Sequence, residues 1–329
     1  MKDISPRLVL TARHEVWPLR EAFNISRGTK TAANVVVVTV TDGTHQGRGE
    51  AVPYARYGET VEASLAAIAS LSEVTDRLAL AVAMPPGAAR NAVDCALWDY
   101  EAKRQGIVAS KLATGVANLR AITTAFTLSL DTPEIMAAKA KAVPELPLLK
   151  LKLGGEADAA RMQAVRHARP GARLIADANE AWTVEMLPEL MRLAADLGFE
   201  TIEQPLPERA DEALRGIAWP VAICADESVH MAKDVQRLKG LYSAVNIKLD
   251  KAGGLTGALE LHKAARDAGM KIMVGSMVST SLAVAPAFIL AQDAEWVDLD
   301  GPLLLARDRD DGIHIAAGVM SPPSAALWG

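Results

Sequence analysis

The sequence has little of several features that would indicate other classes of protein. Only two cysteines occur in 329 residues, Cys95 and Cys224, so we expect no disulfide framework. The net charge of -5, with no long run of one sign, provides no basic surface for nucleic acid or an anionic membrane. The longest apolar run, SLAVAPAFILA at 281–291, contains Pro286 and is too short to span a bilayer. We therefore expect neither nucleic acid nor a membrane as a partner.

The N-terminal segment, residues 1–17, also lacks the uninterrupted apolar core of a signal peptide, so we expect a cytoplasmic protein. What the sequence does have is a high hydrophobic content, 50% of its residues, which supports a large core. Its length allows two domains, or one large barrel with an appendage.

The first third of the chain changes from strand patterns to helical patterns. Three apolar segments, LVLTARHEVW, NVVVVTVTDG and GRGEAV, predict strands between residues 8 and 52, with a polar loop at 26–30. Apolar residues then recur at helical spacing over 59–105. This order predicts an α+β unit with an antiparallel sheet.

After about residue 120, short apolar strands alternate with amphipathic helical segments. The predicted strands are AITTAFTLSL, LLKLKLGG, ARLIADAN, FETIEQP, VAICADES, AVNIKLD, KIMVGSM and AEWVDLD. Eight such strands with helical crossovers predict a closed parallel α/β barrel. In this fold the functional site lies at the C-terminal ends of the strands.

The stretch LLKLKLGG at 148–155 places Lys150 and Lys152 on one face of a strand and leucines on the other. Taken alone, it fits a sheet edge defended by lysines equally well. A closed barrel has no such edge, and its outward faces are covered by helices. We therefore expect both lysines to point into the barrel.

Charged and polar residues occur at the ends of successive strands. Any one acid at such a position is explained by capping of the next helix. Together they indicate a common partner, because so many buried charges need one. These residues are Lys150, Lys152, Asp177, Asn179, Glu203, Asp226, Glu227, Lys248, Asp250, Asp298 and Asp300.

Three of these acids, Asp177, Glu203 and Asp226, end consecutive strands. Carboxylate oxygens are ligands for a hard divalent cation, and Mg²⁺ fits best. No histidine or cysteine spacing indicates zinc, and we interpret the six histidines as surface or packing residues.

Two lysines, Lys152 and Lys248, lie on the second and sixth of the eight predicted strands, opposite one another across the mouth. A nearby cation and partial burial would lower their pKa toward the range in which a lysine accepts a proton. Two such bases can remove a proton from one face of a carbon and deliver one to the other. The predicted outcome is inversion of configuration.

The order KLKLGG, DANEAW, EQP, ADES and NIKLDKAGGL resembles the muconate-lactonizing subgroup of the enolase superfamily. Enzymes of that superfamily use a Lys base together with Mg²⁺, which agrees with the residues above. The resemblance implies a modified TIM-type barrel, (β/α)7β, over residues 116–304. It also implies an α+β capping domain over 1–115, completed by the C-terminal segment 305–329.

Three further stretches, WVDLDGP, RYGE at 56–59 and AARNAVDCALWD at 88–99, are similar to bacterial L-Ala-D/L-Glu epimerases. This resemblance implies a dipeptide substrate from murein peptide, epimerised at its C-terminal residue by 1,1-proton transfer through an enediolate. It implies no cofactor besides Mg²⁺, and a homo-oligomer is compatible with it. The residues that it assigns are Asp177, Glu203 and Asp226 as metal ligands, Lys152 and Lys248 as bases, and Thr127, Lys150, Ser276, Asp298 and Asp300 as substrate contacts.

The substrate's glutamate side chain needs a cation, which the resemblance places in the loop ISRGTK. Arg27 would recognise the carboxylate through two hydrogen bonds, whereas Lys30 would offer a point charge and relax the preference for glutamate. The choice between them stays open at this stage.

Other functions fit parts of the pattern. An o-succinylbenzoate synthase or a muconate-type cycloisomerase would share the enediolate, but its substrate has no ammonium group for Asp298 and Asp300. A Schiff-base aldolase would use a barrel lysine without a metal. A non-catalytic binding protein on a barrel scaffold would bind ligand without proton exchange. The glycine-rich stretch at 251–257 is best explained by a turn between strand and helix.

Overall fold

The computed structural model describes residues 8–71 and 76–329. Its N-terminal part is a three-stranded antiparallel sheet in the order β1-β2-β3, followed by four helices. The strands are β1 (Val9–Ile25), β2 (Gly28–Thr41) and β3 (Gln46–Ala51), and the helices are α1 (Val61–Ala69), α2 (Arg77–Ala83), α3 (Ala88–Gln105) and α4 (Ala109–Thr114). The predicted α+β unit is confirmed.

The valine-rich run of β2 explains how this sheet is packed between two apolar layers. Val36 and Val38 contribute to a core shared with α3, whereas Val35 and Val37 contribute to the core shared with the barrel. Helix α3 packs closely against β3 at Gly49. A Cβ atom built there would lie only 2.1 Å from the Ala92 carbonyl oxygen of α3, so this contact requires glycine. Alternation along β2 therefore joins the sheet to both of its neighbours.

The predicted loop at 26–30 is wrong in its extent. Strands β1 and β2 continue past the sheet as a two-stranded ribbon, in which Ile25 pairs with Gly28 across a two-residue turn. Gly28 has a φ of +142°, a conformation that favours glycine. As a result Lys30 lies in β2 rather than in a loop.

The eight predicted barrel strands are present, and they are parallel and hydrogen-bonded in sequence order. The first predicted strand is divided, because β4 (Ile122–Thr123) pairs with the C-terminal hairpin of β13 (Ile315–Ala316) and β14 (Val319–Met320) instead. The barrel strands are β5 (Phe126–Leu128), β6 (Leu148–Lys152), β7 (Arg173–Asp177), β8 (Phe199–Glu203), β9 (Ala222–Ala225), β10 (Ala244–Ile247), β11 (Lys271–Gly275) and β12 (Trp296–Asp298).

The ring of strands is nearly closed. The Ala125 amide, just before β5, donates a 2.8 Å hydrogen bond to the Val297 carbonyl on β12. The helices are α5 (Pro133–Lys141), α6 (Asp158–Ala168), α7 (Leu187–Asp196), α8 (Val235–Leu238), α9 (Leu249–Ala252), α10 (Leu255–Asp267), α11 (Ser281–Ala291) and α12 (Gly301–Leu304). A 3₁₀ segment, Glu208–Leu214, follows β8. The predicted parallel barrel is confirmed.

The inward direction of the β6 lysines is also confirmed. Leu149 and Leu151 belong to the apolar layer outside the barrel, whereas Leu148 packs with the small apolar cluster inside it. Lys150 and Lys152 continue the inward face toward the mouth, and both are buried. The inward-facing residues of β6 thus change from apolar inside the barrel to charged at the mouth.

The C-terminal segment contacts both parts of the chain. Its hairpin extends β4, and the Trp328 indole donates to the Cys95 carbonyl on α3 at 3.0 Å. The domain boundaries expected at 115 and 304 stay predictions. Both cysteines are buried and unpaired. Among the residues that the structure describes, no helix is both long and apolar enough to cross a membrane.

Candidate active site

The strand register brings three acids together at the barrel mouth. Asp177 at the end of β7 pairs in register with Glu203 at the end of β8, and Asp226 directly follows β9. All three are buried, and one carboxylate oxygen from each lies within 4.8 Å of the others. This proximity follows from their equivalent positions on consecutive parallel strands.

This cluster has the chemistry of a divalent cation site. Its donors are all carboxylate oxygens, which suit Mg²⁺ rather than zinc. Burial, followed by the neighbouring Asp177 carboxylate, raises the pKa of Glu203 to about 7, whereas for Asp177 and Asp226 burial is outweighed by the adjacent lysines, which lower their pKa values. Three carboxylate oxygens within 4.8 Å of one another can bind one divalent cation together, so the residues fit the expected metal.

Each acid of the cluster also faces a lysine. Lys152 Nζ lies 2.6 Å from Asp177 Oδ2, and Lys248 Nζ lies 2.7 Å from Asp226 Oδ2. The completely buried Lys150 Nζ lies 2.6 Å from Oε2 of Glu203, the acid of the middle strand. The two predicted bases therefore contact the two outer acids of the cluster.

The carboxylates of the site hold two of these lysines, Lys248 and Lys150, in the ammonium form. Burial lowers the pKa of Lys248, but the carboxylates of Asp226 and Glu203 outweigh it and raise the pKa well above its usual value. Lys150 behaves likewise, because Asp298 and Glu203 outweigh the effect of burial on its pKa. The expected lowering depends on a cation that neutralises these carboxylates.

Sequence reasoning missed two residues that hold the acids in place. Asn246 Nδ2 donates a 2.7 Å hydrogen bond to Glu203 Oε1, and Lys251 Nζ lies 2.6 Å from Asp226 Oδ1. Asn246 had a signal, since it precedes Lys248 by two positions and therefore shares its inward face. Lys251 lies in the stretch that we interpreted only as a turn.

A second acidic pair, Asp298 and Asp300, lies at the end of β12 and is joined to the first cluster through Lys150. Asp298 Oδ2 accepts a 2.6 Å hydrogen bond from Lys150 Nζ, and Asp300 Oδ2 accepts one of the same length from the Thr127 amide. Burial, reinforced by the Asp298 carboxylate, raises the pKa of Asp300 to about 7. Both acids contact Thr127, since its hydroxyl lies 3.5 Å from Asp298 Oδ1, so the pair is placed to act together on a cationic group.

One cavity collects most of the predicted site. Asp177, Glu203 and Lys150 lie beneath its lining, while the aromatic residues Tyr54 and Tyr57, which we had not predicted, form part of its wall. The predicted residues that line it are Arg27, Lys30, Thr127, Lys152, Asp226, Lys248, Ser276, Asp298 and Asp300.

The two cations of the ribbon differ in their contacts. Arg27 Nη2 lies 2.7 Å from Glu227 Oε1. Lys30 has no carboxylate partner in the described part of the chain, and its ammonium lies 4.6 Å from the centroid of the Tyr54 ring. Burial, together with the nearby ammonium of Lys152, lowers the pKa of Lys30.

Asp250 does not belong to the mouth, contrary to its place in the predicted series. It lies in α9, where the chain has turned toward the N-terminal sheet and helices. Its Oδ1 accepts hydrogen bonds from the Val52 amide and from Asn91 Nδ2, each 2.9 Å long. Asp250 therefore joins the barrel to the N-terminal part.

Curated relatives match nearly the whole chain. L-Ala-D/L-Glu epimerase of Escherichia coli (strain K12) is 43% identical over 310 residues, which cover 92% of this chain and 96% of the relative. N-acetyl-D-glutamate racemase of a Pseudoalteromonas species is also 43% identical, covering 90% and 95%.

Solved structures give the same result. An enolase family member of Agrobacterium tumefaciens, described as homologous to dipeptide epimerases and solved with sodium and L-Ala-L-Glu, is 47% identical with a TM-score of 0.93, covering 98% of this chain and 100% of that one. The dipeptide epimerase of Enterococcus faecalis V583, solved with Mg and L-Leu-L-Tyr, is 29% identical with a TM-score of 0.90, covering 98% and 99%.

Family profiles divide the chain into two matched regions. Residues 8–113 match the N-terminal domain of the mandelate racemase / muconate lactonizing enzyme family, and residues 135–326 match the enolase C-terminal domain-like family. Together with the relatives above, these matches show that the chain belongs to the mandelate racemase / muconate lactonizing enzyme family of the enolase superfamily.

Proposed function

We infer that the protein is an isomerase, a dipeptide epimerase that interconverts L-Ala-L-Glu and L-Ala-D-Glu by 1,1-proton transfer. One observation carries this inference: Lys152 and Lys248 line one cavity from the second and sixth barrel strands, on either side of the acid cluster. The substrate class is supported by the relatives named for it. A role in murein peptide metabolism is part of the same proposal.

Mg²⁺ is the metal that we propose for the acid cluster, held by Asp177, Glu203 and Asp226. When bound, it supplies positive charge to the substrate carboxylate, where negative charge grows as the α-proton leaves. The all-oxygen donor set and the proximity of the three carboxylates support this assignment. So does the related dipeptide epimerase solved with Mg.

The two lysines divide the proton transfer between them. For one epimer Lys152 takes the α-proton and Lys248 returns a proton to the opposite face, and for the other epimer the roles are exchanged. Lys150 stays protonated, because three carboxylates surround its buried ammonium within 3.4 Å. Its fixed charge lies on the same face of β6 as Lys152, where it can stabilise the negative charge that develops on the substrate.

Asp298 and Asp300 are proposed to bind the α-ammonium of the dipeptide. Both line the cavity, and each has one carboxylate oxygen engaged by Lys150 or by the Thr127 amide. Those contacts fix the carboxylates, and in the described part of the chain the second oxygen of Asp298 has only the long 3.5 Å contact with Thr127 Oγ1, which the substrate ammonium would replace. The substrate would therefore lie with its ammonium at this pair and its C-terminal carboxylate at the acid cluster.

For the glutamate side chain we propose Lys30 as the cationic partner. Its ammonium lies in the cavity without a carboxylate partner among the described residues, whereas the Arg27 guanidinium is already bound to Glu227. A lysine offers a point charge instead of a fork of donors, so it constrains the carboxylate geometry less. We expect activity on L-Ala-L-Asp as well as on L-Ala-L-Glu.

A second candidate activity is racemisation of an N-acylated glutamate. The relative named for it matches 90% of this chain at 43% identity. Its substrate has the same α-carboxylate and side chain but no ammonium, so it would leave Asp298 and Asp300 without a cationic partner from the substrate. This difference allows the two activities to be separated.

The test is incubation with Mg²⁺ in D₂O, followed by NMR of the glutamate α-proton and by optical rotation, using L-Ala-L-Glu and N-acetyl-L-glutamate in parallel. We expect deuterium exchange and inversion of the dipeptide, and loss of both when EDTA removes the metal. Activity on the acylated glutamate alone would favour the second candidate. If both compounds and a broader dipeptide panel stay inert, the epimerase proposal fails.

A further inference from the structure

We propose that Arg27 is a positioning residue rather than a substrate ligand: its ion pair with Glu227 fastens the tip of the β1–β2 ribbon across the barrel mouth. The ribbon tip is residues 24–30. This placement brings Lys30 to the cavity that the proposed function assigns to the substrate, so the inference rests on that function. The ion pair itself can be tested without turnover.

The near side of the ribbon tip is attached at the first barrel strand. The Asn24 amide donates a 2.7 Å hydrogen bond to Ser129 Oγ, and the Leu130 amide donates a 3.0 Å hydrogen bond to the Asn24 carbonyl. These contacts use only residues next to β5. By themselves they would leave the turn at Ser26 free to lift from the other side of the mouth.

The far side of the ribbon tip is attached through the turn. Arg27 Nη1 donates a 3.0 Å hydrogen bond to the Asn179 carbonyl, and Ser26 Oγ donates to the same oxygen at 3.2 Å. Asn179 and Glu180 both have positive φ, 45° and 66°, in the turn after β7 that carries this carbonyl. Backbone held in this sparsely populated conformation is typical of functional sites.

The ion pair supplies the strongest contact of the far side. Glu227 is almost completely buried, with 1% of its side chain exposed, and its Oε1 lies 2.7 Å from Arg27 Nη2. Its Oε2 has no hydrogen-bond partner among the described residues. Because breaking a pair of this kind leaves an uncompensated buried charge, Glu227 holds Arg27 in place.

Little apolar packing duplicates this attachment. Ser26, Arg27, Gly28 and Thr29 are all exposed, so polar contacts hold the turn in position. Glu227 also follows the proposed metal ligand Asp226 directly in the chain. The pair thereby ties the position of the ribbon tip to the part of the mouth where the substrate carboxylate is proposed to bind.

The variants for the test are Arg27→Ala, Glu227→Gln, their double mutant and Arg27→Lys. Arg13→Ala is the matched control, because Arg13 lies on the same strand and, within the described ranges, forms an ion pair only with Glu15 near the surface. Each variant is measured in two ways: hydrogen–deuterium exchange of peptides covering 20–30 in the free enzyme, and kcat and KM for L-Ala-L-Glu.

We expect Arg27→Ala to speed exchange in peptides 20–30 at least tenfold and to raise KM by about 10- to 100-fold, a range typical of displaced substrate-positioning groups. Glu227→Gln should change both quantities in the same direction, the double mutant should be no worse than Arg27→Ala, and Arg27→Lys should recover part of the loss. Arg13→Ala should change neither quantity.

Unchanged exchange in Arg27→Ala, with KM raised, would overturn the proposal and make Arg27 a substrate ligand. A lower melting temperature with unchanged exchange at 20–30 and unchanged kcat and KM would reduce the pair to a structural role. If the wild-type protein shows no turnover, the proposed function fails, while the exchange measurements still decide whether the pair fastens the ribbon tip.

Discussion

Lys251 Nζ lies 2.6 Å from Asp226 Oδ1 and 2.5 Å from the Asp226 carbonyl oxygen. A buried lysine from α9 thus fixes both the side chain and the backbone of a proposed metal ligand. Lys248 contacts the other carboxylate oxygen at 2.7 Å. The two lysines therefore differ in role, since of the two only Lys248 lines the cavity that receives the substrate.

Lys251→Met should lower kcat about 10- to 100-fold, or raise the Mg²⁺ concentration for half-maximal activity by a similar factor, the usual cost of losing a group that orients a metal ligand. The physical reason is that the Asp226 carboxylate keeps only the Lys248 contact and becomes free to rotate. Activity titrated with Mg²⁺ measures both quantities. Lys263→Met, at an exposed pair on α10, is the control. Wild-type values in Lys251→Met would contradict the assigned role.

The sequence was sufficient to predict the barrel and most of the proposed site. Alternation within LKLKL gives the direction of Lys150 and Lys152, and parallel strands bring residues at equivalent positions to one edge. These two rules need no knowledge of distant contacts. The confirmed strand order and the clustering of Asp177, Glu203 and Asp226 follow from them.

What could not be predicted depends on contacts between distant segments. Residues 26–30 are polar and contain Gly28, so they indicate a loop, and only the extended pairing of β1 with β2 places Lys30 in a strand. Asp250 follows a barrel strand, but α9 begins at Leu249 and turns the carboxylate toward Val52. In both cases the partner segment, not the local pattern, decides the direction of the side chain.

Replacement of either proposed base should make proton exchange one-sided. Lys152→Ala should abolish epimerisation while leaving α-proton exchange from at most one epimer, the one whose proton faces Lys248. Lys248→Ala should give exchange from the other epimer only. The measurement is deuterium incorporation in D₂O, started separately from L-Ala-L-Glu and L-Ala-D-Glu. Exchange from both epimers in either variant would show that one lysine serves both faces.

Asp300→Asn should separate the two candidate activities. An ammonium group held by a carboxylate loses a charge-assisted hydrogen bond, worth about 1.5–3 kcal/mol, so KM for L-Ala-L-Glu should rise about 10- to 100-fold. The assay belongs at pH 8, where a pKa of about 7 leaves the wild-type Asp300 mostly ionised. The asparagine oxygen can still accept the Thr127 amide, so we expect the fold to be retained.

N-acetyl-L-glutamate provides the control for that variant, because it has no ammonium group. If N-acetyl-L-glutamate is a substrate, the KM of Asp300→Asn for it should stay within about twofold of the wild-type value. An equal rise for both compounds would indicate that Asp300 shapes the site without binding the ammonium. An unchanged KM for the dipeptide would remove Asp300 from the substrate contacts.

Asp250→Asn should stabilise the protein above neutral pH. Burial raises the pKa of Asp250 from 3.8 to about 7, so the unfolded chain releases this proton at lower pH than the folded chain does. The favourable contribution is therefore complete below pH 3.8 and is lost as pH rises through about 7. Asparagine has no proton to lose, and its oxygen can accept both hydrogen bonds that Asp250 Oδ1 now accepts, from Val52 and Asn91.

The free energy of unfolding of Asp250→Asn should thus exceed that of the wild type by on the order of 2 kcal/mol at pH 8. This is less than the whole pKa shift of Asp250 would give at about 1.4 kcal/mol per pKa unit. The difference should shrink toward pH 5, where the wild-type carboxyl is protonated in the folded state. Urea unfolding at both pH values measures it, and Asp267→Asn, at an exposed position, controls for the loss of one negative charge. A variant that is less stable than the wild type at pH 8 would show that the ionised carboxylate stabilises the junction between barrel and N-terminal part.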